Sequence, residues 1–123
     1  MLMLIIHGRL PGLNDYIGAC RTYPQSGAKM KKEAEELITR FINRQMKGVK
    51  VTRPVKIEFL WVEKDRRRDP DNICGFGHKV ILDALVKAGV LPDDSGKYIK
   101  GFKDSFSVDN VFPRIEVTIR RDK

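Results

Sequence analysis

Long apolar runs are missing from this sequence. The N-terminal run Leu2-Met3-Leu4-Ile5-Ile6 is too short to span a bilayer or to form a signal-peptide core, and no basic residues precede it. A buried strand is the expected role for that run, and a cytoplasmic protein without a membrane partner the expected setting. Cysteine is scarce too. Cys20 and Cys74 make no CxxC pair and have no histidine at finger spacing, so neither a zinc finger nor a disulfide framework is indicated and reduced structural cysteines are expected. The two histidines, His7 and His78, show no spacing of paired ligands and are expected to be polar surface or hydrogen-bonding groups. Low-complexity segments, internal repeats and linkers are likewise missing.

Acidic residues are the minority. Twenty-four Lys and Arg against sixteen Asp and Glu leave a net charge of +8, a field that attracts polyanions, chiefly nucleic acid or an acidic membrane surface. An apolar fraction of 41% over 123 residues, with six Phe and one Trp, is enough for one core, so the charged third of the chain is a solvated surface rather than a sign of disorder. A single domain, residues 1–123, is expected.

The first strand, residues 2–6, runs into Gly8-Arg9-Leu10-Pro11-Gly12-Leu13-Asn14, whose Gly, Pro and Asn content marks an irregular connection. From residue 27 to about 47, Met30, Ala34, Leu37, Ile38, Phe41, Ile42 and Met46 recur with the 3.6-residue period of one buried helix face, and Gly48 is a stop signal. After Pro54, Val55, Ile57, Phe59 and Trp61 alternate with Lys56, Glu58, Leu60 and Val62, the pattern of a strand inside a sheet. A second helix is expected over about 73–88, ended by Gly89 and weakened in its first turns by Gly75 and Gly77. Strands at about 98–106 and 114–120 follow, joined through Asp109-Asn110 as a hairpin. The order β-α-β-α-β-β predicts an α+β (mixed α/β) fold, a mixed four-stranded sheet covered by two helices.

Chemistry concentrates between the third expected element and the second helix. Pro70 disfavours the helical conformation at Asp69, so Asp69 and Asp71 are expected to point the same way from an extended chain. Two adjacent carboxylates repel, and a hard cation, Mg²⁺ or Mn²⁺, relieves the repulsion by binding both. A third carboxylate is on offer from the turn Pro92-Asp93-Asp94-Ser95-Gly96. Asn72, Phe76, Lys79 and Asp83 share one helix face, which places Lys79 about two turns from the acidic pair, where an ammonium could balance charge on a phosphoryl group. Arg66-Arg67-Arg68, with Asn72 and Lys79, could grip DNA phosphates. Each feature also has a plainer account. Asp-Pro-Asp-Asn is a good helix N-terminus, Lys79 with Asp83 a surface ion pair, and the arginines a solvated strand end.

Taken together, Arg67-Arg68-Asp69-Pro70-Asp71-Asn72, Lys79, the block Leu82-Asp83-Ala84-Leu85-Val86-Lys87-Ala88-Gly89-Val90-Leu91 and Asp93-Asp94 resemble the RusA family of Holliday junction resolvases. With Tyr98-Ile99-Lys100-Gly101-Phe102 and Asn110-Val111-Phe112-Pro113-Arg114-Ile115-Glu116-Val117, the chain is particularly similar to members carried by phages and prophages, over nearly its whole length. The segment Ile73-Cys74-Gly75-Phe76-Gly77-His78 is longer than in the best-known member. The resemblance implies a Mg²⁺-dependent endodeoxyribonuclease, a homodimer that resolves four-way DNA junctions by paired symmetric nicks in recombination and repair. It implies catalytic and metal-binding roles for Asp69, Asp71 and Asp94, and a catalytic role for Lys79. The residues by themselves leave Asp93 and Asp94 open as the third acid. They also leave open a non-catalytic basic nucleic-acid-binding module, or a small interaction protein whose charge is incidental.

Overall fold

The computed structural model describes residues 1–122. Its elements run β1 (Leu2–His7), α1 (Leu13–Thr22), α2 (Pro24–Gln45), β2 (Val55–Glu63), α3 (Pro70–Lys87), β3 (Ile99–Val108) and β4 (Arg114–Arg121). The class is the expected α+β fold with a mixed four-stranded sheet, but three helices cover it, not two. The sheet order is β1-β4-β2-β3, with β2 and β3 parallel and β4 antiparallel to both β1 and β2.

One face of the sheet supplies the core. Leu4 and Ile6 of β1, Val55, Ile57, Phe59 and Trp61 of β2, and Ile115, Val117 and Ile119 of β4 join the buried side chains of α2 and α3 in one cluster. In the alternate positions Lys56 is exposed and Glu58, Leu60 and Glu116 are half-buried, whereas Val62 and Thr118 are buried, so the other face is only partly open. Among the described residues, no helix is long and apolar enough to cross a membrane.

The helix that the sequence pattern hides is α1. None of its residues is fully buried, so it has no apolar stripe to detect, and Pro11, Gly12 and Asn14 look like loop. It packs sideways instead. Leu13 lies against Gly75 of α3, and the Tyr16 ring sits 4.9 Å from that of Phe76. Pro24 then separates α1 from α2, since it forces Tyr23 into an extended conformation and starts the next helix without needing an N–H partner.

The expected hairpin between the last two strands does not form. The connection after β3 crosses the end of β2, where the Asp109 amide donates to the Glu63 carbonyl at 2.8 Å, and β4 enters on the far side. Burial explains the choice. Strand β4 has Ile115, Val117 and Ile119 to bury and takes an inner position, whereas β3, with Lys100, Lys103, Ser105 and Ser107, is suited to an edge. The parallel pairing of β2 with β3 makes β2-α3-β3 a crossover unit, with α3 lying on the sheet.

Helix α3 lies very close to that sheet. A Cβ at Gly77 would stand 2.6 Å from Trp61 Cη2, and Trp61 is buried and cannot yield. Gly77 therefore permits the approach rather than merely weakening the helix. Gly18 of α1, by contrast, has open space where a Cβ would go. Gly77→Ala is expected to destabilise the protein by about 1–3 kcal/mol despite its better helix propensity, and Gly18→Ala to stabilise it by about 0.5–1 kcal/mol. Urea unfolding of the two variants checks the opposite signs.

Candidate nucleic-acid and metal site

Helix α3 and the residues just before it carry nearly every candidate residue. Asp69 occupies the N-cap in an extended conformation, φ −71° and ψ 154°, as Pro70 at the first helical position requires. Its carbonyl accepts from the Ile73 amide at 3.0 Å, but its side chain makes no capping bond. Asp71 follows in the first helical turn, where the dipole favours a negative charge, so the extended chain expected to point both carboxylates the same way ends at Asp69, because α3 already begins at Pro70. Among the described residues, neither carboxylate has a salt-bridge partner, although three arginines precede them. Asp69 stands in a cleft of about 470 Å³ whose lining includes Glu63, Arg66, Arg68, Ile73 and Phe106.

The arginines are divided in their use. Arg68 is pinned. Its Nε and Nη2 donate to the two oxygens of Glu63 at 2.8 and 2.9 Å, and its Nη1 donates to the Leu10 carbonyl at 3.0 Å. With side-chain exposures of 13% and 7%, Arg68 and Glu63 form a nearly buried fork, so the donors expected to grip a phosphate are occupied. Arg67 is exposed and lies 3.6 Å from Asp65, and Arg66 is exposed. The basic surface beside the acidic pair is thus Arg66 and Arg67.

Asn72, expected among the DNA contacts, has an internal partner. Gly12, the N-cap of α1, has no side chain to satisfy the first-turn amides, and the Asn72 Oδ1 accepts from the Asn14 amide at 2.8 Å in its place. The Gly12 amide itself donates to Asp15 at 2.8 Å. A Cβ at Gly12 would stand 2.6 Å from that Asn72 oxygen, so the two positions depend on each other.

Asp94 reaches Lys79 because α3 ends in a Schellman motif. The Val90 amide donates to Leu85 and the Gly89 amide to Val86, with Gly89 at φ +81°, and the chain turns back along the helix. Lys79 Nζ lies 3.8 Å from Asp94 and 3.2 Å from Asp83, and Asp83 is also 3.1 Å from Lys31 of α2. The hydrogen bond that Lys79 donates to Asp83 and the charge of Asp83, followed by the charge of Asp94, raise the Lys79 ammonium above its ordinary pKa. Burial would raise the Asp83 carboxyl, but hydrogen bonds from Lys31 and Lys79 outweigh it and hold it below the usual carboxylate range. Asp93 serves its own turn, accepting from the Ser95 amide at 2.7 Å. This difference separates Asp94 from Asp93 in a way that spacing does not.

The three aspartates do not close into one ligand group. Eight residues of helix, about 12 Å of rise, separate Asp71 from Lys79, where Asp94 arrives. Among the described residues, the one group of three ligand-type side chains with donor atoms within 4.8 Å of one another is Cys74, His78 and Asp104. His78 Nε2 and Asp104 Oδ1 are 2.7 Å apart, and the Trp61 indole N–H donates to the same oxygen at 2.8 Å. Burial, then the charge of Asp104, pushes the Cys74 thiol above its ordinary pKa. Cys74 was expected to be a reduced structural cysteine and His78 a polar or hydrogen-bonding group, and no role was expected of Asp104. Cys74 and His78 stand four apart on a helix that the sequence does predict, which was the available signal; Asp104 joins them only through strand pairing.

Compared with known proteins, the chain matches no family model and no curated sequence.

The Arg68 fork generates a stability expectation. Arg68→Ala leaves Glu63 buried with only Arg9, 3.7 Å away, to face it and is expected to cost about 2–4 kcal/mol, whereas Arg67→Ala should stay within about 0.5 kcal/mol. Guanidinium unfolding compares them. Equal stability of the two variants would mean that Glu63 is not held by Arg68.

Proposed function

We propose that this chain is a metal-dependent, structure-selective endodeoxyribonuclease that acts on four-way DNA junctions as a homodimer. The observation that carries the reading is Asp69, which occupies a helix N-cap without capping it, two residues before Asp71, which like it has no salt-bridge partner among the described residues. A carboxylate used only to start a helix would accept from the first-turn amides. These two are left available beside exposed arginines in a chain of net charge +8. The resemblance of Asp69-Pro70-Asp71-Asn72, Lys79 and Asp93-Asp94 to RusA resolvases supports the same reading.

The donor chemistry fits Mg²⁺, with Mn²⁺ as a substitute, because such ions take few carboxylate ligands and retain water. Asp69 and Asp71 would hold it with water in its remaining positions, while Asp94, which arrives beside Lys79 about 12 Å farther along α3, would act through that lysine rather than as a ligand. Bound there, the ion would polarise the scissile phosphate and favour attack by water. Lys79, kept protonated by Asp83 and Asp94, would meet the charge that develops on the phosphoryl oxygens. Arg66 and Arg67 would hold flanking phosphates. Asp83, tied to Lys31, is a positioning residue for Lys79.

A junction must be cut at two equivalent positions, and one chain offers one acidic pair, so a two-fold dimer matches the substrate's symmetry. The expected outcome is Mg²⁺-dependent cleavage of a synthetic four-way junction, absent in EDTA and weak on linear duplex. Asp69→Asn and Asp71→Asn should bind junctions as dimers without cutting them. Lys79→Ala should slow single-turnover cleavage by roughly 10²-fold while leaving junction affinity nearly unchanged. Salt-sensitive binding with no cleavage in any divalent metal would instead make the protein a nucleic-acid-binding module. Light scattering of the junction complex and a cruciform-plasmid assay, which separates linear from nicked product, test the dimer.

A further inference from the structure

We propose that Cys74, His78 and Asp104 form a second metal site, selective for a thiolate-seeking divalent ion, zinc above all. One sulfur, one imidazole nitrogen and one carboxylate oxygen lie within 4.8 Å of one another. That donor set suits zinc and is poor for Mg²⁺, which prefers oxygen throughout. Cys74 and His78 face the same side of α3, four residues apart, and the parallel register that sets Asp104 beside Phe59 brings the third donor to them.

The surroundings are already organised for binding. The His78 ring stacks on Phe102, centroids 5.4 Å apart at 15°, with Phe59 at 4.7 Å and Trp61 at 5.6 Å, so its orientation is held by three aromatic neighbours. The Trp61 N–H holds Asp104 Oδ1 from behind, as outer partners of metal-binding carboxylates do. The 2.7 Å contact between His78 and Asp104 needs to open only to the roughly 3.3 Å spacing of tetrahedral ligands about 2.0 Å from zinc. On binding, the Cys74 thiol loses its proton to solvent as the sulfur–metal bond forms. The imidazole takes the tautomer with its proton on Nδ1, leaving Nε2 to bind. Three protein ligands leave one position open. The site joins α3 to the edge strand β3 and does not depend on the nuclease reading.

The test uses the full chain, stripped with chelator and titrated with Co²⁺ and then Zn²⁺. One equivalent of Co²⁺ should produce a near-ultraviolet thiolate charge-transfer band that Zn²⁺ abolishes. Zinc at a hundredfold excess over its Kd should raise the Tm by on the order of 10 °C. Cys20→Ser and Asp69→Asn should keep both responses, which separates this site from the aspartates proposed for Mg²⁺. Cys74→Ser and His78→Asn should lose the band. Because Cys74 packs against the core, His78→Asn provides the decision if Cys74→Ser does not fold. A wild-type protein with no cobalt band, or a zinc response that survives His78→Asn, would overturn the proposal.

Discussion

A nearly buried guanidinium–carboxylate fork, Arg68 on Glu63, anchors the segment that leads from β2 into helix α3. Glu63 is the last residue of β2, and Arg68 stands two residues before the helix. Burying both charges is costly unless their hydrogen bonds are made, and here both carboxylate oxygens and the Leu10 carbonyl take a donor from one planar group. The segment between strand and helix is thereby drawn over the sheet end and against residues 8–12. Asp69 emerges immediately after the anchor, with its backbone set by Pro70 and its side chain unspent. One of the three arginines expected to contact phosphate instead anchors the backbone just before the acidic pair.

From that starting point α3 uses its circumference for several tasks. Gly77 lets it sink onto Trp61, Gly75 makes room for Leu13, and Asn72 completes the first turn of α1. Away from the sheet, Lys79 and Asp83 connect it to Lys31 and Asp94, and Lys87 reaches Glu35 of α2 at 2.5 Å. Rotating the helix would break the close contacts and the charge pairs together. Such mutual dependence explains how an element with two early glycines is well defined.

What was legible in the sequence followed from short-range patterns. Alternation marked β2 and β4, the 3.6-residue stripe marked α2, and Gly89 marked the end of α3, where its positive φ is used. Pairing partners are not short-range. The turn at Asp109 is compatible with a hairpin, and only competition for the inner place beside β2 sends β4 across. Helix α1 escaped because it is stabilised by sideways contacts and by a cap borrowed from Asn72. Within the candidate site, the Asp69 conformation was legible from Pro70. The confinement of Arg68 was not, because Glu63 and Leu10 meet it through tertiary contact. Cys74 and His78 were visible as a helical pair, yet their carboxylate partner depends on the β2–β3 register.

The position of Trp61 has a practical side. It is the chain's one tryptophan, it lies beneath Gly77, and its indole N–H ends on Asp104, which also holds His78. Fluorescence excited at wavelengths that the three tyrosines do not absorb therefore comes from a single side chain at the junction of helix, inner strand and edge strand. Indole emission depends on the polarity around the ring, so the molecule carries an optical reporter of that junction without a label.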